Sequence, residues 1–292
     1  KKGIALIGVG TDRSILDGTD INEHGIYIYN FDNIEIKNIE IKEFGKRGIY
    51  AEFSNNILID NVYSHNNNDD GIRVKKSKNI SIRNSKSTHN TGDGITLYSY
   101  GEIINTEISD NIERGIHHYG VGSSPSNEDT EPDERYVLIK NNKVYRNNNT
   151  DEKYAGIELN GGGDATLHVE VIGNDIEYNS GSAITVTDIN INNESYKSIV
   201  KDNDISFTKD NYINISDTSG DGDGIYVNNS NSLSIDSNNI YDNDNYGVRI
   251  NNSENKIDNI EIINNTFSGN NEGDYHIDSE SDIDNLKIES NN

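Results

Sequence analysis

The phrase Asp-Gly-Ile-x-Val at Asp70 to Val74 returns as Asp-Gly-Ile-x-Leu at Asp93 to Leu97, 23 residues later. Aligning on Gly-Ile-x-(Val/Ile/Leu) places anchors at Gly25, Gly48, Gly71, Gly94, Gly115, Gly156, Ala183, Gly224 and Gly247, with Asp274 as a degenerate tenth. The steps between them are 23, 23, 23, 21, 41, 27, 41, 23 and 27 residues. A second phrase, Asn-Ile-x-Ile-x-Asn, starts at Asn33, Asn56, Asn79 and Asn259. Both phrases alternate with period two, which predicts strands, and no capped segment of helical period interrupts them. Short strands and turns repeated about every 23 residues predict the coils of a parallel β-helix. The Leu-rich consensus of a similar-period solenoid is missing, and a propeller blade needs nearly twice the period.

The asparagines fit such coils. Asn38, Asn61, Asn84, Asn105 and Asn264 each precede an anchor by ten residues, and Asn67, Asn90, Asn111, Asn179, Asn243 and Asn270 by four. Stacked amides can bond to one another and to the bent backbone along a ladder, so most of the Asn is expected to shape turns. The whole chain, residues 1–292, is read as one β-helix domain of about ten coils, with longer loops in coils five to eight. "NLKIESNN" stops where a coil would turn into its next strand, and no Met stands at position 1, so further residues are expected at one or both ends. An uncapped end would invite end-to-end or lateral self-association.

Within Gly-Ile-x-Val the apolar residues face inward, and x and the residue after Val face outward. Stacking then writes two outer columns. One runs Tyr27, Tyr50, Arg73, Thr96, His117, Glu158, Thr185, Tyr226, Arg249, His276; the other runs Tyr29, Glu52, Lys75, Tyr98, Tyr119, Asn160, Thr187, Asn228, Asn251, Asp278. Tyr supplies flat amphipathic area suited to sugar rings. Arg73 and Lys75, with Lys76 and Lys78, form a basic patch on a chain of net charge −25, suited to a carboxylate or sulfate. A sheet face stabilised only by cross-strand pairs is the plainer reading of the same columns. The insertions after Tyr119 and Thr187, and a third near Asp210 to Asp221, could wall a groove around His117, Glu158 and Thr185. Asp70, Asp93 and Asp223 read as turn residues before the anchor Gly. His118 takes an inward slot and should have a hydrogen-bond partner there, or be displaced by the loop.

The acidic field excludes nucleic acid and anionic membrane surfaces as natural partners. With no Cys there is no disulfide, thiol catalysis or thiolate-bound metal, and no apolar run is long enough to span a membrane. Calcium suits an acidic β-helix, yet "DTSGDGDG" at Asp217 lacks the closing Glu of a calcium loop, so the metal ligands stay unknown.

"KKGIALIGVGTDRSILDG" and "NILIDNVYSHNNNDDGIRV" give the chain a resemblance to the right-handed parallel β-helix (pectate lyase-like) superfamily, nearest in repeat grammar to mannuronan epimerase catalytic modules. The resemblance implies a right-handed solenoid, an extracellular or cell-surface location, and recognition or processing of a polysaccharide, an anionic uronate polymer being favoured. A lyase or epimerase needs a cation for the sugar carboxylate, a base for the C5 proton, and an acid. Arg73 or Lys75 would be the cation, His117 the base, and Tyr98 or Tyr119 the acid. Lys75, Tyr27, Tyr50, Glu158, Asn160 and Tyr226 would bind substrate. The epimerase motif Tyr-x-x-Asp-x-His is not reproduced: the matching strand reads "RGIYAE", and "YNFDNI" carries Ile34 where His belongs. The alternative is a non-catalytic stalk, as in a surface layer, filament or tail fibre.

Overall fold

The computed structural model describes residues 3–12, 14–120, 136–148, 154–162, 167–189, 197–209, 222–251, 257–279 and 283–292. The chain winds as an all-β solenoid in which every strand pairs in parallel with its counterpart one coil away. Ten strands, beginning with Ile26–Tyr29, Ile49–Glu52, Ile72–Lys75, Ile95–Tyr98 and Ile116–Tyr119 and ending with Gly273–Ile277, stack into one sheet, the first sheet. The Asn-Ile-x-Ile phrases and the short strands after them, such as Lys86–Thr88 and Glu107–Ser109, build the remaining walls.

The core is a stack of equivalent side chains. Ile49, Ile72, Ile95, Ile116, Ile157, Ile184 and Ile225 occupy one inner column without measurable exposure. Val74, Leu97, Leu159, Val186 and Val227 occupy the next, and His118 stands in that column too. His118 is buried as expected, with Nδ1 2.6 Å from the Leu97 carbonyl. Anchor glycines allow a close approach: a Cβ on Gly71 would collide with Ser87 Oγ, whose hydroxyl donates to the Gly94 carbonyl at 2.6 Å.

The asparagines fall into two structural classes. Asn38, Asn61, Asn84, Asn105 and Asn264 hold the left-handed backbone, with φ between 51° and 57°, a conformation Asn tolerates. Asn67, Asn90, Asn111, Asn147 and Asn179 form a buried ladder, each Nδ2 donating to the next Oδ1 at 2.9–3.0 Å. A second inner ladder, Asn142, Asn174, Asn203, Asn238 and Asn265, carries on the same bonding at a different corner. The spacing of the anchors does not predict it. Its signal is a left-handed residue followed by Asn, as in Asn141-Asn142, Gly173-Asn174 and Asp202-Asn203.

Among the described residues no helix is long and apolar enough to cross a membrane. The expected loops after Tyr119 and Thr187 and near Asp210 to Asp221 lie largely outside the described residues, as does most of "DTSGDGDG".

Candidate functional site

The register of the first sheet places Tyr27, Tyr50, Arg73, Thr96, His117, Glu158, Thr185, Tyr226, Arg249 and His276 directly beside one another, coil by coil. The column is not evenly open. Tyr27 is 56% exposed, whereas Thr96, His117 and Tyr226 are 0%, 8% and 9% exposed. These three point outward but are covered by neighbours on the same face, which corrects the expectation of a fully accessible column.

The cover comes from a third column, in which Asp70 and Asp93 are the positions expected to serve only turns. The residue before each anchor also faces this side: His24, Arg47, Asp70, Asp93 and Arg114. At His24, Asp70 and Asp93 the side chain accepts from the backbone of the next coil, as where Asp93 N–H donates to Asp70 Oδ1 and Arg114 N–H to Asp93 Oδ1, both at 3.0 Å. Asp70 and Asp93 are therefore buried carboxylates rather than simple turn residues. Three residues on, along the same strand, sits the first outer column, so Asp93 Oδ2 accepts from Thr96 at 2.9 Å and lies 3.1 Å from His117 Nδ1. Tyr98 OH is 3.3 Å from the same imidazole nitrogen, with its ring edge-on to His117. Arg114 holds Glu158 at 2.6 Å and packs over the Tyr154 ring at 4.0 Å; Glu158 Oε1 is 3.8 Å from His117 Nε2.

Electrostatics separates the two buried carboxyls. Burial and the charge of Asp93 push Asp70 up to about 7, against the opposing pull of Arg73 and Arg47. Asp93 is equally buried, but the hydrogen bond and charge of His117, with Arg114 and Thr96, outweigh that burial and hold it below the usual carboxylate range. Burial raises the Tyr98 phenol, so that it keeps its proton.

The expected basic patch is compensated. Arg73 Nε lies 2.5 Å from Asp70 Oδ2, an ion pair without hydrogen-bond alignment, and Lys75 and Lys76 approach Glu52 Oε1 at 3.3 and 3.8 Å. Glu52 also accepts from Tyr50 OH at 2.8 Å.

Of the predicted residues, Arg73, Tyr98, Tyr119, His117 and Glu158 come together, with Tyr119 against the Tyr98 ring at 5.8 Å and Arg73 over that ring at 5.6 Å. Tyr27 and Tyr50 stack at 5.3 Å in a separate aromatic platform with His24, toward the first coil. Asn160 caps its own turn, Oδ1 accepting from Gly162 N–H at 2.8 Å. Tyr226 lies two coils beyond Glu158, accepting from Asn251. Among the described residues, no group of three His, Asp or Glu side chains is placed to hold a metal ion.

The family described as right handed beta helix region matches residues 3–131 and 126–292. The chain belongs to the right-handed β-helix family. Its solenoid is similar to the A-module of mannuronan C-5 epimerase AlgE6 from Azotobacter vinelandii (TM-score 0.67, 14% identity, covering 98% of this chain and 82% of that one). The AlgE4 A-module from the same organism gives a TM-score of 0.61 at 14% identity, over 93% and 81% of the two chains. The catalytic unit of a GH87 alpha-1,3-glucanase from Streptomyces thermodiastaticus gives 0.58 at 13% identity, over 100% and 60%. At such identities the likeness to solved structures shows the fold of this β-helix. A search of curated proteins finds no match.

Proposed function

We propose that this β-helix processes an extracellular polysaccharide along the outer face of its first sheet, by proton transfer at a uronate unit. The observation that carries the reading is the buried Asp93 carboxylate beside His117 Nδ1, with Tyr98 OH sharing that nitrogen. A carboxylate at Nδ1 fixes the proton there and leaves Nε2 as the base. Tyr98 accepts at its oxygen and so keeps its own O–H proton to give away. In an elimination, His117 Nε2 takes the C5 proton, the C4–O bond breaks as C4=C5 forms, and Tyr98 protonates the departing oxygen. In an epimerisation, Tyr98 returns a proton to the opposite face of C5. Arg73 faces the substrate carboxylate, and it is less compensated whenever Asp70 holds a proton. The Tyr27–Tyr50–His24 platform offers stacking surface to sugar units farther along the chain.

A second reading has its own observation: two buried carboxyls on adjacent coils with opposed shifts, Asp70 up and Asp93 down, as a hydrolytic acid–base pair requires. One assay separates the readings. Alginate, pectate and glycosaminoglycan polymers are incubated with the protein in D2O. Unsaturated-uronate absorbance or deuterium at C5, lost about 100-fold or more in His117→Ala, is expected. New reducing ends without either signal would favour hydrolysis. Saturable retention without turnover would favour a binding module, and neither result would leave a rigid stalk.

A further inference from the structure

The wall built by the third strand of each coil carries a cleft of about 460 Å³ that takes no part in the site on the first sheet. Its floor follows from one register column. His65 pairs with Thr88, Thr88 with Ser109, and Ser109 with Tyr145. Two small hydroxyl residues, Thr88 and Ser109, thus lie buried at the bottom between two aromatic walls. On one side Tyr63 stacks on His65 at 4.1 Å, and on the other stands Tyr145. Tyr63 leans over the floor, its OH 3.3 Å from Thr88 Oγ1, and the volume that remains has room for a pyranose ring.

The walls are held in place. Tyr145 OH donates to Glu107 at 2.6 Å, and Arg146, paired twice with Asp110 at 2.7 and 2.8 Å, packs over the Tyr145 ring at 4.5 Å. Lys86 closes the rim on Glu107 at 2.7 Å. Each cation on the rim is therefore matched by a carboxylate. A cleft with aromatic sides, a hydroxyl floor and a charge-balanced rim is suited to a ring rich in hydroxyls, not to an ion. We infer that it is a second glycan-binding site, specific for neutral hexopyranose units and separate from the surface where the chemistry is placed.

The test titrates cellohexaose, maltohexaose and laminarihexaose, with alginate hexasaccharide as the charged comparison, into the protein by calorimetry. Saturable binding of at least one neutral hexasaccharide is expected. Ser109→Tyr fills the notch with a residue that the same column already carries at Tyr145, and binding should fall about tenfold or more in a chain whose circular dichroism matches that of the parent. Tyr145→Ala should do likewise, and if that chain does not fold, Ser109→Tyr is read alone. His117→Ala should leave the binding intact. The inference is overturned by the absence of binding to all three neutral probes, by binding of alginate alone, by indifference to Ser109→Tyr, or by loss in His117→Ala.

Discussion

At the residue scale, the informative positions are those whose meaning depends on the neighbouring coil. Asp93 looks like any Asp before a turn Gly, and only the coil above supplies His117 and Arg114 as partners for its carboxylate. Removing that charge while keeping the shape isolates its contribution. Asp93→Asn is expected to lower turnover about 100-fold with little change in KM. Asp70 permits a test by pH. Its folded pKa stands above the unfolded value because burial and Asp93 favour the protonated form. The folded state therefore binds more protons than the unfolded one between about pH 4 and 7, and Asp70's contribution to stability is lost as pH rises through that window. Asp70→Asn should flatten this part of the profile of denaturation midpoint against pH; an unchanged slope would place the ionisation elsewhere. His118 was legible from sequence because an imidazole in an inward slot needs a hydrogen-bond partner or must leave the slot, and it takes the first course. The distant partners of Asp70 and Asp93 were not, because Arg47, Arg114 and His117 stand 21 to 24 residues away and a repeat alignment does not show their reach.

At the scale of the element, the coil is legible wherever one residue per turn does one thing. The period-two phrases gave strands, and the anchors gave the register of the first sheet. The corners were harder, since a left-handed Asn and a buried ladder Asn carry the same letter side by side, as at Asn141 and Asn142. The ladders make a quantitative prediction. Asn147 Nδ2 serves the Ile108 carbonyl and Asn179 Oδ1, while its Oδ1 accepts from the Asn111 backbone and amide. Asn147→Ala would leave two buried backbone groups unpaired, at about 1–3 kcal/mol each, so roughly 2–6 kcal/mol should be lost in chemical denaturation. Asn61→Ala, at an exposed corner, loses one bond to Asn38 and puts Ala in the left-handed region, and should cost about 2–3 kcal/mol.

At the scale of the whole molecule, composition governs encounter more than recognition. A net charge of −25 repels a polyanion at a distance, while the ion-paired cations on the first sheet can act only at contact. Association with a uronate polymer should therefore quicken as salt is raised from about 10 to 150 mM, and that of a neutral glycan should barely respond; stopped-flow rates decide it. The same screening should raise the thermal midpoint by relieving self-repulsion.

Because neighbours across each sheet are set by position within a coil, the chain can be edited by the line as well as by the letter. Excising residues 48–70 would bring Tyr27 alongside Arg73 and leave every pairing farther along untouched. Length, and with it the span of the proposed polymer-binding face, is then free to change by duplication or loss of a row, with no new interior to invent.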